Sequence, residues 1–168
     1  MRTHTSLLGA LALLGGCISE APMNEAGHPD LPPLAEDRSQ PRLALAEHLL
    51  AEYFASDIAS QPTVCLAVSE GRSEEALPPE QETGLVARFP RLAPFSRCGW
   101  SPQGWRDIES EEPALVFTIH SFTCASATQC DGWASYISGA NAAPSSLYRM
   151  RYENGRWQIA RDRRLLAE

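Results

Sequence analysis

Two segments of the chain carry apolar residues at helical spacing. In residues 41–58 the apolar positions that recur every three or four residues are Leu43, Ala46, Leu50 and Phe54. This period predicts an amphipathic helix, with Ser39 as its N-cap and Pro41 in its first turn. A second, shorter helix is predicted over residues 80–89, and Pro90 ends it.

Three further segments show the patterns of β-strands. Residues 63–68 form a short run of mainly apolar and β-branched side chains. Residues 114–124 are apolar at successive positions, which is typical of a central strand, and residues 130–138 follow as another strand. Helices near the start and strands toward the end indicate an α+β domain. We expect one or two N-terminal helices packed on an antiparallel sheet of four to five strands.

The dipeptide Asn154-Gly155 predicts the last hairpin in detail. Asparagine followed by glycine favours a two-residue type I′ turn between antiparallel strands. Such a turn pairs Glu153 with Arg156, Tyr152 with Trp157, Arg151 with Gln158, and Met150 with Ile159. The apolar pairs then share one face of the hairpin and the polar pairs share the other, so turn chemistry and polarity agree.

The order of these elements resembles the nuclear transport factor 2-like α+β rolls, and it is similar to small bacterial lipoproteins of uncharacterised function. The matching residues lie in the last hairpin: Tyr152, Gly155, Trp157 and Ile159. The resemblance implies a pocket between helix and sheet, which is catalytic in some members and only a ligand cavity in others. His120, Tyr136 and Tyr148 are the candidate pocket residues.

The N-terminus has the layout of a secretory signal, with Arg2 before a short apolar run and small residues after it. The run is much shorter than the roughly 20 residues of a membrane-spanning helix. Its end, Leu14-Gly15-Gly16-Cys17, resembles the lipobox of bacterial lipoproteins. That resemblance implies cleavage before Cys17 and acylation of its thiol and amine. The alternative is an ordinary signal peptide cut after Ala21.

The chain therefore divides into three predicted parts. Residues 1–16 are the signal peptide, residues 17–40 a lipidated linker, and residues 41–168 a single α+β domain. The linker from Ile18 onward holds four prolines, five acidic residues and little apolar content, which is typical of an extended spacer. Because no aspartate follows Cys17, the lipoprotein resemblance favours the outer membrane, facing the periplasm or the surface.

The chain contains five cysteines, and we assign Cys17 to the attachment of lipid. The other four, in an oxidising compartment, predict two disulfides. Three pairings are possible; we favour Cys124–Cys130, which brackets a short polar loop between two strands, and Cys65–Cys98. The alternative, a zinc site, is disfavoured because zinc sites usually contain close cysteine pairs. No C-x-x-C redox motif occurs.

The charge and the motifs exclude several functional classes. A net charge of −7 argues against nucleic-acid binding. The sequence lacks a phosphate loop, a G-x-G-x-x-G and an H-E-x-x-H. Residues 99–104 resemble a nucleophile elbow but contain one residue too many, and Pro102 follows the serine. The loop around them carries Trp100 and Trp105, which either stack on a ligand or cap the core beside a disulfide.

The histidines offer little support for catalysis. His48 and Glu52 are four residues apart on the first helix, a spacing that can bind metal but usually only decorates a surface. His120 is either a pocket residue or a core residue with a hydrogen-bond partner. As a general base it would need an orienting carboxylate, and no local spacing supplies one.

The sequence therefore predicts a membrane-anchored extracytoplasmic lipoprotein with a small interaction domain. We expect it to contact the bilayer through acylated Cys17, to bind an envelope protein, and to need neither cofactor nor metal. Catalytic residues are not identified, so enzymatic activity is not predicted. One alternative is a small-molecule-binding or hydrolytic roll. Another is an inhibitor or immunity-type protein that binds an effector through its acidic loops.

Overall fold

The structure is a computed structural model that describes residues 31–56, 63–71 and 73–162. The predicted signal peptide and Cys17 lie outside these residues. Within the described ranges, none of the helices combines the length and apolarity needed to cross a bilayer.

The first helix, α1, spans Pro41–Phe54 and has proline in its first turn, as predicted. It ends before the predicted residue 58. The capping prediction was wrong: the N-cap is Gln40, and Ser39 instead donates from its backbone N–H and its hydroxyl to the carboxylate of Asp37. The buried residues of α1 are Leu43, Ala44, Leu45, Ala46, Leu49, Leu50 and Tyr53.

The second helix, α2, spans Pro79–Arg88, close to the predicted range, and buries Leu85. Gly84 lies inside it without breaking it. Pro90 follows the C-cap residue Phe89, whose extended backbone ends the helix.

A mixed sheet forms the centre of the domain. Its strands are β1 (Thr63–Ser69), β2 (Glu74–Glu75), β5 (Ala114–Ser126), β6 (Gln129–Ser138), β7 (Asn141–Ala142), β8 (Ser146–Glu153) and β9 (Arg156–Arg161). They lie in the order β2-β1-β5-β6-β8-β9, with β7 paired to β6. The α+β class is confirmed. The sheet is larger than predicted, and β1 runs parallel to β5, whereas the other pairs are antiparallel.

The last hairpin has the predicted register. All four predicted pairs occur between β8 and β9, from Glu153 with Arg156 to Met150 with Ile159. The turn residues Asn154 and Gly155 have φ of +54° and +78°, as a type I′ turn requires.

Both faces of the sheet are covered, by different elements. The helices pack on one face, the helix face, against residues such as Leu66, Phe117 and Met150. On the opposite face a short hairpin packs with Trp105 against Ala67 and Val116. Its strands are β3 (Cys98–Ser101) and β4 (Gly104–Asp107). This segment was predicted to be a loop, and that prediction was wrong.

Gly104 allows the hairpin to approach the sheet closely. Its φ is +101°, and a Cβ placed there would lie 2.0 Å from the carbonyl oxygen of Gly139. The next residue, Trp105, donates its backbone N–H to that same oxygen at 3.0 Å. A side chain at position 104 would therefore separate the two segments.

Both favoured disulfides are present. Cys65 in β1 is bonded to Cys98 in β3, which ties the hairpin to the sheet. Cys124 and Cys130 are bonded across β5 and β6, where they face one another in register.

The segment just before α1 contacts the domain. Leu34–Glu36 forms a single turn of 3-10 helix, and the backbone N–H of Leu34 donates to Glu47 of α1 at 2.8 Å. Tyr152 donates its hydroxyl to the carbonyl of Glu36, and Trp157 donates its indole N–H to the carbonyl of Asp37. Contacts with the domain thus begin upstream of Pro41, inside the segment predicted as linker.

Candidate functional site

A pocket of about 320 Å³ lies between the C-terminal half of α1 and the helix face of the sheet. Its volume is at the lower end of the range for small-molecule sites. The residues that line it are Leu49, Glu52, Tyr53, Ser56, Phe117, Ala134, Ser135, Tyr136, Ala143, Pro144, Ser146, Tyr148 and Arg161. We call it the helix–sheet pocket.

Helical spacing places three of these residues on one side of α1. Leu49 and Tyr53 are four residues apart, so their side chains lie one above the other, with Glu52 beside them, and Ser56 follows just beyond the end of the helix. Leu49 and Tyr53 are buried, whereas Glu52 is largely exposed. The helix therefore contributes an apolar wall and one carboxylate at the rim.

Strand alternation supplies the aromatic wall of the pocket. Phe117 in β5 pairs directly with Tyr136 in β6, and their ring centroids are 5.6 Å apart. Tyr53 packs edge-on against Phe117 at 5.4 Å. Tyr148 projects from β8 on the same face. The structure thus brings two of the three predicted pocket residues, Tyr136 and Tyr148, into one cavity.

Tyr53 carries a buried hydroxyl without a hydrogen-bond partner among the described residues. The residue is only 7% exposed. A buried polar group left unpaired costs about 1–3 kcal/mol, and such groups are uncommon in folded proteins. Because Tyr53 lines the pocket, a ligand with a polar atom near this hydroxyl would compensate for that cost.

Charged side chains of opposite sign lie near Tyr148. Burial raises the pKa of the Tyr148 hydroxyl above its usual value; the positive charge of Arg161 opposes this shift and the negative charge of Glu52 adds to it. Tyr148 is therefore protonated at neutral pH and able to donate a hydrogen bond. Arg161, Tyr53 and Glu52 were not among the pocket residues predicted from the sequence.

The third predicted pocket residue, His120, lies on the opposite face of the sheet. It follows Ile119, which is buried on the helix face, so its own side chain points the other way. Its Nε2 lies 2.7 Å from the hydroxyl oxygen of Ser145, and its ring stacks on Trp133. It lines a separate open groove of about 410 Å³ together with Ser69, Glu74 and Thr118.

Among the described residues, the serine–histidine pair has no third member of a hydrolytic triad. In the part of the chain that the structure describes, no carboxylate forms an ion pair with His120. A general base of this kind depends on such a group for its orientation. Within the described residues, the geometry shows a serine–histidine pair and not a complete triad.

The two tryptophans of the β3–β4 hairpin have different surroundings. Trp105 is buried beside the Cys65–Cys98 disulfide, which matches the core-capping alternative. Trp100 packs edge-on against Trp105 at 5.5 Å but remains 63% exposed, as does Ile108. Together Trp100 and Ile108 leave apolar surface accessible to a partner.

In the described ranges a metal site is not evident. His48 and Glu52 are 3.4 Å apart, as an i, i+4 pair can be, but no third ligand joins them in the part of the chain that the structure describes. Among the described residues there is no group of three histidine, cysteine or acidic side chains that could hold a metal ion.

Comparison with known proteins does not assign the chain. No family model matches it, and neither a curated protein nor a solved structure does. The resemblances to bacterial lipoproteins and to nuclear transport factor 2-like rolls therefore stay predictions.

Proposed function

We propose that this chain is a lipid-anchored extracytoplasmic protein whose folded domain binds a small molecule in the helix–sheet pocket. The observation that carries the proposal is the pocket itself, which is lined by aromatic rings and by Tyr53, whose buried hydroxyl has no hydrogen-bond partner among the described residues. Apolar walls with a few placed polar groups are the usual composition of ligand sites. The proposal requires binding and no turnover.

The anchored, extracytoplasmic location rests on the sequence motif and is supported by the thiol chemistry. The two disulfides fit an oxidising compartment. Acyl chains on Cys17 would hold the protein at a membrane surface, since two or three chains anchor a protein firmly.

The location is tested by mass spectrometry of the N-terminal peptide from membrane-derived protein. We expect the mature chain to begin at acylated Cys17, and a Cys17→Ala variant to leave the membrane fraction. A mature chain beginning at Pro22, after cleavage at Ala21, would contradict the anchor.

The pocket is tested by amide chemical-shift mapping with a library of small aromatic and aliphatic fragments. We expect the shifts caused by bound fragments to cluster around the helix–sheet pocket. Ala143 is half-buried at the pocket, and an Ala143→Trp variant should fill it and abolish these shifts. Ala142 is the matched control, because it is exposed in β7 and does not line the pocket. Shifts that survive Ala143→Trp would contradict the proposal.

A second candidate function is capture of an envelope protein through the exposed apolar side chains of Trp100 and Ile108. Aromatic residues are enriched among the anchors of protein interfaces. The test is affinity capture from membranes with the wild-type chain and with a Trp100→Ser variant. A partner that both chains retain equally would contradict this candidate.

A further inference from the structure

The helix–sheet pocket carries two charged side chains, and they differ in their surroundings. Glu52 lies 3.4 Å from Nε2 of His48, one turn earlier on α1. Arg161, the last residue of β9, forms no ion pair with a carboxylate among the described residues. The pocket therefore presents a guanidinium available to a ligand, whereas its carboxylate already faces a basic side chain.

Strand alternation explains why Arg161 reaches this pocket. Trp157 and Ile159 in β9 pack on the helix face, and Arg161 continues the same alternation. Arg156, at the other end of the strand, lies on the opposite face. The two arginines are thus a matched pair on one strand, with only Arg161 at the pocket.

We propose that the helix–sheet pocket selects a small apolar monocarboxylate, held by its carboxylate on Arg161 and by its hydrocarbon or aromatic body against Leu49, Phe117 and Tyr136. A guanidinium presents planar donors that match a carboxylate. The inference rests on the proposed function and names the ligand class for the same site.

The pocket walls limit the rest of the ligand. Phe117 and Tyr136 offer ring surface for an aromatic group in an edge-to-face arrangement. A second ligand carboxylate at this wall would be desolvated without a partner, which is strongly unfavourable. An ammonium group in place of the carboxylate would meet Arg161 as a like charge. These constraints favour one anionic head group on an apolar body.

The test uses three probes that share one body and differ in the head group: 3-phenylpropionate, 3-phenylpropanol and 3-phenylpropylamine. Their binding to the full chain is measured by isothermal titration calorimetry. Because Arg161 is exposed and its ion pair is screened by solvent, we expect the acid to bind about fivefold more tightly than the alcohol. The amine should bind most weakly, and added salt should reduce the preference for the acid.

Two variants test whether the preference for the acid over the alcohol depends on the charge of Arg161. Arg161→Gln should bring the acid and the alcohol to equal affinity, whereas Arg156→Gln should keep the fivefold difference. Equal binding of acid and alcohol by the wild-type chain, tightest binding of the amine, or a preference that survives Arg161→Gln would each overturn the inference.

Failure of this inference is distinguishable from failure of the proposed function. If no probe binds, but the shifts caused by fragments still cluster at the pocket and are lost in the Ala143→Trp variant, only the ligand class is wrong. If no fragment maps there, the proposed binding function itself is contradicted. Circular dichroism of each variant confirms that the fold is retained.

Discussion

The guanidinium of Arg97 lies 2.9 Å from the carboxylate of Asp107, which is completely buried. The same carboxylate accepts hydrogen bonds from the hydroxyl of Thr63 in β1 and from the backbone N–H of Glu109. Asp107 therefore joins the β3–β4 hairpin to the first strand of the main sheet. A buried charge of this kind is tolerated because each of its oxygens has partners.

The Asp107 contacts predict a pH dependence of stability. Hydrogen bonding to Arg97 holds the pKa of the Asp107 carboxyl well below its usual range, against the opposing effect of burial. A carboxyl with a lowered folded-state pKa stabilises the fold above its unfolded-state pKa, and this contribution is lost as the pH falls. We expect the free energy of unfolding, from urea titrations, to decline below about pH 4.

Asp107→Asn tests the same contacts at neutral pH. The variant should lose about 2 kcal/mol, because buried donors lose their ionised acceptor. Its stability should also depend less on pH than that of the wild type. The exposed residue Glu109, 3.3 Å from Arg97, provides the control, since Glu109→Gln should remain close to wild type. Equal losses in the two variants would argue against a special role for Asp107.

The two disulfides should differ in their contributions to stability. Cys65 and Cys98 are separated by 33 positions and Cys124 and Cys130 by 6. In the chain-entropy account the longer loop contributes about 3.7 kcal/mol and the shorter about 2.2 kcal/mol. Urea titration of the two double-alanine variants should therefore place Cys65→Ala/Cys98→Ala about 1.5 kcal/mol below the other. The reverse order would show that native-state packing outweighs chain entropy.

Two glycine substitutions should have opposite effects on stability. Gly104→Ala should destabilise the fold by roughly 2 kcal/mol or more, because the new methyl group would clash with the backbone of Gly139 and because φ at position 104 is positive. Gly84→Ala should stabilise it by about 0.5–1 kcal/mol, since Gly84 lies inside α2 and has open space around it. Thermal unfolding of both variants measures the two stability changes. A tolerated Gly104→Ala would mean that the hairpin can move away from the sheet.

Ser145 should not react as a hydrolytic nucleophile, although its hydroxyl oxygen lies 2.7 Å from His120. The pair lacks an orienting carboxylate among the described residues. We expect a fluorophosphonate probe to leave Ser145 unmodified in intact-mass measurements. Labelling that is lost in both Ser145→Ala and His120→Ala would contradict this and restore the hydrolytic alternative.

Features set by neighbouring residues could be predicted from the sequence. The β8–β9 register follows from Asn154-Gly155 because a two-residue turn fixes every later pair. The helical period of the apolar residues and the position of Pro90 predicted the ends of α1 and α2 to within a few residues. The Cys124–Cys130 bond followed from a short loop between two strands.

Features that depend on contacts between residues distant in the sequence could not be predicted. An apolar run such as β1 has the same pattern whether its neighbour runs parallel or antiparallel, so its parallel pairing with β5 was missed. The β3–β4 hairpin was taken for a loop because its position depends on Gly139, far along the chain. Strand β5 is apolar on both faces, so the sequence could not tell which face the helices cover or where His120 would point.

One signal for the pocket was present but unused. Arg161 is two residues after Ile159 and four after Trp157, and both of these had been assigned to the apolar face of the hairpin. Continuing that alternation by one step places Arg161 on the helix face. The depth of the pocket and the burial of the Tyr53 hydroxyl depend on how α1 lies across the sheet, which local pattern does not determine.

Because β1 pairs in parallel with β5, the association of these two strands during folding depends on whether the Cys65 and Cys98 thiols are oxidised. Cys65 is in register with Val116, about 50 residues later, so the two strands cannot associate until a long intervening chain is closed. Once Cys65 is joined to Cys98, the path to Val116 shortens to about 18 residues, which lowers the closure entropy by about 1 kcal/mol. Refolding should therefore be faster from the oxidised than from the reduced chain.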